Sequence, residues 1–189
     1  YLTIPIAAVV CLVLGVLMGF PALRLAGHYL ALATFALAIA TPQLLKYKGI
    51  EHWTGGVQGI ILDKPTPPFG LTLFGNELSE DRWLYLVILA IALGLFWLAH
   101  NLLSGRVGRA IVAIRDQPTA AAALGINLTF VKTATFGLSA AYTGIAGALS
   151  ALAVAYIAPD SFPAFLSISL LVGVVVGGLG SISGAIFGA

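Results

Sequence analysis

Charge is what this sequence has least of. Nine Lys and Arg and seven Asp and Glu make up only 8% of its 189 residues, where a soluble domain carries about a quarter. A net charge of +2 and the lack of any basic run interleaved with aromatics exclude a nucleic-acid-binding surface. Cysteine is nearly missing too. Cys11 stands alone in an apolar run, so the sequence offers no intrachain disulfide and no cysteine-based zinc site, and Cys11 reads as a small core residue. There is no His-Glu-x-x-His, and His28, His52 and His100 lie scattered at the ends of apolar runs or between them. Ser181 and Ser183 sit beside glycines with no base at hand, so an intramembrane enzyme would lack its nucleophile pair or metal site. No metal site and no catalytic residue is assigned.

What is present is apolar. With 60% hydrophobic residues, 22 glycines and a mean hydropathy of +1.04, the chain reads as an integral membrane protein. It begins at Tyr1 and its last run ends in "GAIFGA" without a polar tail, so it reads as part of a longer protein. No charged segment precedes the first run, which is therefore read as a span rather than a signal peptide. Crossing ~30 Å of hydrocarbon takes about 20 mostly apolar residues, because lipid cannot satisfy free backbone groups. Five segments meet this, roughly 2–20, 29–45, 83–99, 130–157 and 165–189, the second interrupted by Thr34, Thr41 and Pro42 and expected to be kinked. The expected fold class is all-α, a polytopic helical bundle forming a single transmembrane domain over residues 1–189.

Lys and Arg in short loops stay on the cytoplasmic side. Arg24 follows the first span, and the stretch from Asn101 to Lys132 holds Arg106, Arg109, Arg115 and Lys132 against Asp116. The loop 46–82 balances four basic residues with five acidic ones, and the turn near Asp160 has no basic residue. An odd number of crossings separates each basic loop from each acidic one, so the loop 101–129 is expected inside and the loop 46–82 outside. Tyr29, Tyr47, Trp53, Trp83, Trp97 and Tyr156 fall near span ends, where interfacial aromatics belong.

Within the inner loop, Val107, Ala110, Ile111 and Ile114 recur at helical spacing while Arg109 and Asp116 point the other way. That predicts an amphipathic helix. Pro118 suits the first turn of a second short helix, and Gly125 suits its stop, with Ile126 folding back. A helix this short frays in water unless it docks, either on its own spans or on a partner.

The glycines carry other expectations. Ala140, Gly144 and Ala148 in the fourth span form a small-xxx-small packing face, widened by Gly137, Gly147 and Ala151, for a span of the same chain or for another subunit. "VVGGLGSISG" lacks the Gly-Lys-Ser/Thr ending of a phosphate loop, so Gly177, Gly178 and Gly180 read as a helix break or close crossing that lines a path or simply packs. Outside, Thr54, Gly55, Gly56 and Gly59 precede "DKPTPPFG" and form a gate, a dock for an external protein, or a connector. Asn127-Leu128-Thr129 matches a glycosylation sequon on the inner side and is read as chance. Ion-coupled transporters usually place Asp, Glu or Lys at membrane depth. The five span interiors contain none, which moves the energy source elsewhere.

"GRAIVAIRDQPTAAAALGI" (108–126) resembles the large cytoplasmic loop of the LivM-type permease subunits of branched-chain amino acid ABC importers. "GFPALRLAGHYLALATFALA" (19–38), "TGGVQGI" (54–60), "YIAPDSF" (156–162) and "VGGLGSISGAIFGA" (176–189) resemble that family in the same order, so the likeness covers nearly the whole chain. It departs at Ala123, where family members often carry an acidic or polar residue. The resemblance implies a short helix seated in an ATPase groove, with Arg109, Arg115 and Asp116 flanking it and Ala121, Ala122, Leu124 and Gly125 forming its contact surface. It implies four kinds of partner: membrane lipid, a second homologous permease, two cytoplasmic ATPase subunits and an external solute-binding protein. ATP and Mg would reside on the ATPases, with no cofactor on this chain, in a bacterial inner membrane. Branched-chain amino acids lead as substrate; related permeases handle urea, amides or other amino acids.

Overall fold

The computed structural model describes residues 2–22, 28–49, 55–56, 58–62, 72–73, 76–77, 79–178, 180 and 182–188. Helices dominate: α1 (Thr3–Ala22), α2 (His28–Leu45), α3 (Glu80–Ser104), α4 (Arg106–Asp116), α5 (Pro118–Ala123), α6 (Leu128–Val154), α7 (Ala164–Gly177) and α8 (Ile182–Phe187). Hydropathy gives no sign of four two-residue strands, β1 (Ile60–Ile61), β2 (Thr72–Leu73), β3 (Asn76–Glu77) and β4 (Tyr156–Ile157). The chain forms two compact units, Tyr1–Leu25 with Asp63–Ala155, and Ala26–Leu62 with Tyr156–Ala189.

In the first unit, α1 lies along α6, and α4 and α5 connect α3 to α6. The acidic Glu80 and Asp81 in the first turn of α3 complement its dipole. Asn127 caps α6 by accepting from the Phe130 N–H at 3.0 Å, which gives the chance sequon a structural task. α6 ends at Val154, three residues before the expected end of the fourth span, and its cap Ala155 is a non-glycine residue in the left-handed region (φ 58°). Among the described residues, α3 and α6 are long and apolar enough to cross a membrane. Tyr85, Leu86, Leu89, Leu93, Phe96, Trp97, Leu98 and Leu103 of α3 are exposed, and Leu84 is its one buried residue. In water that would be costly; in hydrocarbon it is the expected exterior.

In the second unit, α2 contains Pro42, which has no N–H to give the Ala38 carbonyl, and the helix ends one turn later. The Thr41 hydroxyl turns back to the Leu37 carbonyl at 2.7 Å. β1 pairs antiparallel with β4, setting Ile60 opposite Ile157 and Ile61 opposite Tyr156. The segment 165–189 is not one helix. α7 stops at Gly177, Gly178 (φ 106°) leaves the helical region, and α8 folds back antiparallel against α7. The fourteen residues of α7 rise about 21 Å, short of the hydrocarbon thickness.

Candidate functional site

The loop between α3 and α6 is a built object. Pro118 occupies the first turn of α5, where its missing N–H costs nothing. α5 closes in a Schellman motif: the Ile126 N–H donates to the Ala121 carbonyl at 3.1 Å and the Gly125 N–H to the Ala122 carbonyl at 3.0 Å, with Gly125 at φ 82°. A Cβ at Gly125 would meet nothing within 4 Å, so glycine is needed there for its backbone alone.

Burial sorts the residues of this loop. Ala121 is 1% exposed, and so lies inside the unit and offers no outer surface; it seats α5 instead. Ala122 and Gly125 are exposed, and Leu124, 80% exposed, stands out at the tip. Arg109, Arg115 and Asp116 are all exposed, and the Arg115 Nε donates to the Asp116 Oδ1 at 3.0 Å. On α4, Ile114 is buried and Ala110 and Ile111 are half-buried, as helical spacing predicts. Val107 is not: it is 53% exposed, and Gly108 takes the inner place because α4 presses its backbone against the end of α3 there.

The small-residue face of α6 meets α1. A Cβ at Gly144 would lie 2.7 Å from the Cys11 Cβ and Sγ, and one at Gly15 would lie 2.5 Å from the Ala140 Cβ. Cys11 is thus a half-buried packing residue. Ala148 is half-buried, with Gly137 tight against Val16 earlier on the same face. The contact is between helices of one chain. Sequence reasoning passed over its other half although the signal was there: "GVLMG" (15–19) is a GxxxG pattern. "GVVVG" (173–177) and "GAIFG" (184–188) are two more, and they face each other across the α7–α8 hairpin, Gly173 on the Gly188 carbonyl and Gly177 on the Gly184 carbonyl. Gly177 is therefore a packing position, while Gly178 and Gly180 (φ 93°) form the break.

Of the residues expected to form a gate or dock, Thr54 lies outside the described residues, as does the proline segment 63–70. Gly55 (φ 70°), Gly56 (φ 55°) and Gly59 (φ 72°) all adopt left-handed backbone. A Cβ at Gly59 would strike the Ile157 carbonyl, and the Tyr156 hydroxyl donates to the Gln58 carbonyl at 3.0 Å. The turn is clamped to the β4 segment. Among the described residues no group of His, Cys, Asp and Glu could hold a metal.

Among the described residues the arrangement offers a projecting apolar stub, exposed apolar helices and glycine-tight helix pairs. Comparison with known proteins gives it a context. The chain is 35% identical over 198 residues to the high-affinity branched-chain amino acid transport system permease protein LivM of Salmonella typhimurium, covering 94% of this chain and 46% of that one, with the same figures for LivM of Escherichia coli K12. It is 29% identical over 193 residues to the autoinducer 2 import system permease protein LsrC of Escherichia coli O9:H4, covering 99% of this chain and 52% of that one. The chain spans about half the length of the curated relatives it matches. No solved structure matches it. The family described as branched-chain amino acid transport system, permease component, matches residues 1–189. By that match from end to end, and by its likeness to LivM, the chain belongs to this permease family.

Proposed function

We propose that the chain is the translocating part of an ATP-binding-cassette importer, moving branched-chain or related amino acids across a bacterial inner membrane. ATP is hydrolysed on two separate cytoplasmic subunits, a second homologous permease completes the pathway, and an external binding protein delivers the solute. The observation that carries this reading is the α4–α5 loop. Ala121 is buried, Leu124 projects, Gly125 closes the helix, and Arg109, Arg115 and Asp116 are exposed on the preceding α4. Such a stub suits a groove in a soluble subunit, with arginines able to fix register on carboxylates. The lack of charge inside the spans supports an outside energy source.

Four membrane-crossing segments followed by the α7–α8 hairpin, with 101–129 inside and 46–82 outside, fit this reading. The β1–β4 ladder supports it, since it joins the loop after α2 to the turn after α6, both of which charge assigns to the outer face. Gly55, Gly56, Gly59, Gly178 and Gly180 belong to the path or its gate. The test is uptake of labelled leucine into vesicles holding the assembled importer. Uptake should persist with ion gradients collapsed and ATP supplied to the ATPase side. Uptake that dies with the gradient and ignores ATP would refute the reading. Excess isoleucine should compete; competition by urea, acetamide or autoinducer 2 alone would move the substrate to those solutes.

A further inference from the structure

The two long helices that flank the coupling loop are held differently. α6 lies against α1 through Gly137, Ala140 and Gly144, and buries Ala141 and Leu149 as well. α3 buries Leu84 alone, and along its length the Tyr142 hydroxyl of α6 reaches it, donating to the Leu95 carbonyl at 3.3 Å. At its end α3 meets α4 backbone to backbone. A Cβ at buried Gly108 would fall on the Leu103 carbonyl, 2.6 Å from the Leu103 Cα. Hydrogen takes that place, and the Gly108 Cα–H points at one of the last four carbonyls of α3, which the helix itself leaves unpaired.

The connection between α3 and α4 is one residue long. Gly105 donates to the Leu102 carbonyl at 3.3 Å and accepts from the Arg109 N–H at 3.3 Å, so the turn has no slack. At the other side, four non-helical residues, Leu124 to Asn127, separate α5 from α6. A stiff joint on a loosely seated helix, and a longer link to a firmly seated one, direct a displacement to the loose helix.

We infer that Gly108 is a positioning residue that fixes α4 to the last turn of α3, so that ATPase movement at the coupling loop swings α3 against a stationary α1–α6 pair. The inference rests on the coupling role proposed above for the loop. Any side chain at 108 pushes α4 off α3 without touching Leu124 or Gly125. Docking survives, and transmission fails.

The test uses the assembled importer in lipid nanodiscs, in a Cys11→Ser background, with spin labels at exposed positions. Trp97→Cys with Thr143→Cys reads the α3–α6 distance, and Val13→Cys with Thr143→Cys reads the α1–α6 distance. ATP should shift the first by several ångströms and leave the second unchanged. Gly108→Ala should abolish that shift and raise the ATP hydrolysed per leucine imported several-fold, while the ATPases still copurify. Gly94→Ala, where a Cβ meets nothing within 4 Å, should behave as the parent chain. Equal movement of both pairs, no movement of either, or an unchanged shift in Gly108→Ala overturns the inference. Should Gly108→Ala fail to assemble, the two distances in the parent chain decide. Failure of the parent chain to copurify the ATPases overturns the coupling reading itself; copurification without differential motion overturns the Gly108 inference alone.

Discussion

A left-handed backbone angle means different things at two residues of the first unit. At Gly125 (φ 82°) the site is open around the missing Cβ, so Gly125→Val changes strain and nothing else, by about 1–2 kcal/mol. The tip of α5 should then be misaimed. The expected outcome is normal membrane abundance with weakened ATPase copurification or lost stimulation of hydrolysis by loaded binding protein, and Gly125→Asn should lose less. Ala155 (φ 58°) bears the same strain as an alanine. Ala155→Gly should stabilise the protein by about 0.5–1 kcal/mol, after allowance for glycine's greater freedom in the unfolded chain, read as a raised thermal midpoint in detergent. Asn127→Ala should do the reverse, costing about 1 kcal/mol with the loss of the α6 cap. Gly125 was legible in the sequence because its neighbours spelled a helix stop. Ala155 was not, because no local residue pattern announces an alanine in that region.

At the scale of elements, glycine spacing decides which helix faces touch. Gly144→Val would drive a branched side chain into Cys11 and the Ala7 carbonyl on α1. It should cost about 1–3 kcal/mol in overpacking and lower the amount of folded protein in the membrane. At Gly147, three residues on, an added Cβ meets nothing within 4 Å, so Gly147→Ala should be tolerated in the same assay. The helices themselves were legible, since a run without charge can satisfy its backbone in lipid only as a helix. Their pairing was not. The GVLMG, GVVVG and GAIFG patterns and the Ala140-Gly144-Ala148 face lie open in the sequence, but spacing is a property of one helix and says nothing of its mate. Gly108 was hidden for a related reason: its need for glycine comes from Leu103 folding back in space, and its place on α4 looks ordinary. The two-helix form of the last segment was half legible, as glycines that permit a break without requiring one.

Over the whole molecule, the uneven placement of Lys and Arg makes a claim about sidedness. Single cysteines at Gln117 and Ser161, both exposed, in a Cys11→Ser background should react with impermeant reagents from opposite sides of the membrane; reaction from one side would remove the proposed topology. The α1–α6 seam also sets a clock. It joins positions 125 apart in the chain, from Gly15 to Ala140 (140 − 15). A ribosome adding ~5–20 residues per second needs roughly 6 to 25 s to cover that stretch. For that time the GVLMG face of the newborn α1 waits beside whatever helices are nearby, and any of them with a small-residue face is a rival for it. Translation pauses between α1 and α6 should therefore lower the yield of correctly paired protein even though they change no amino acid.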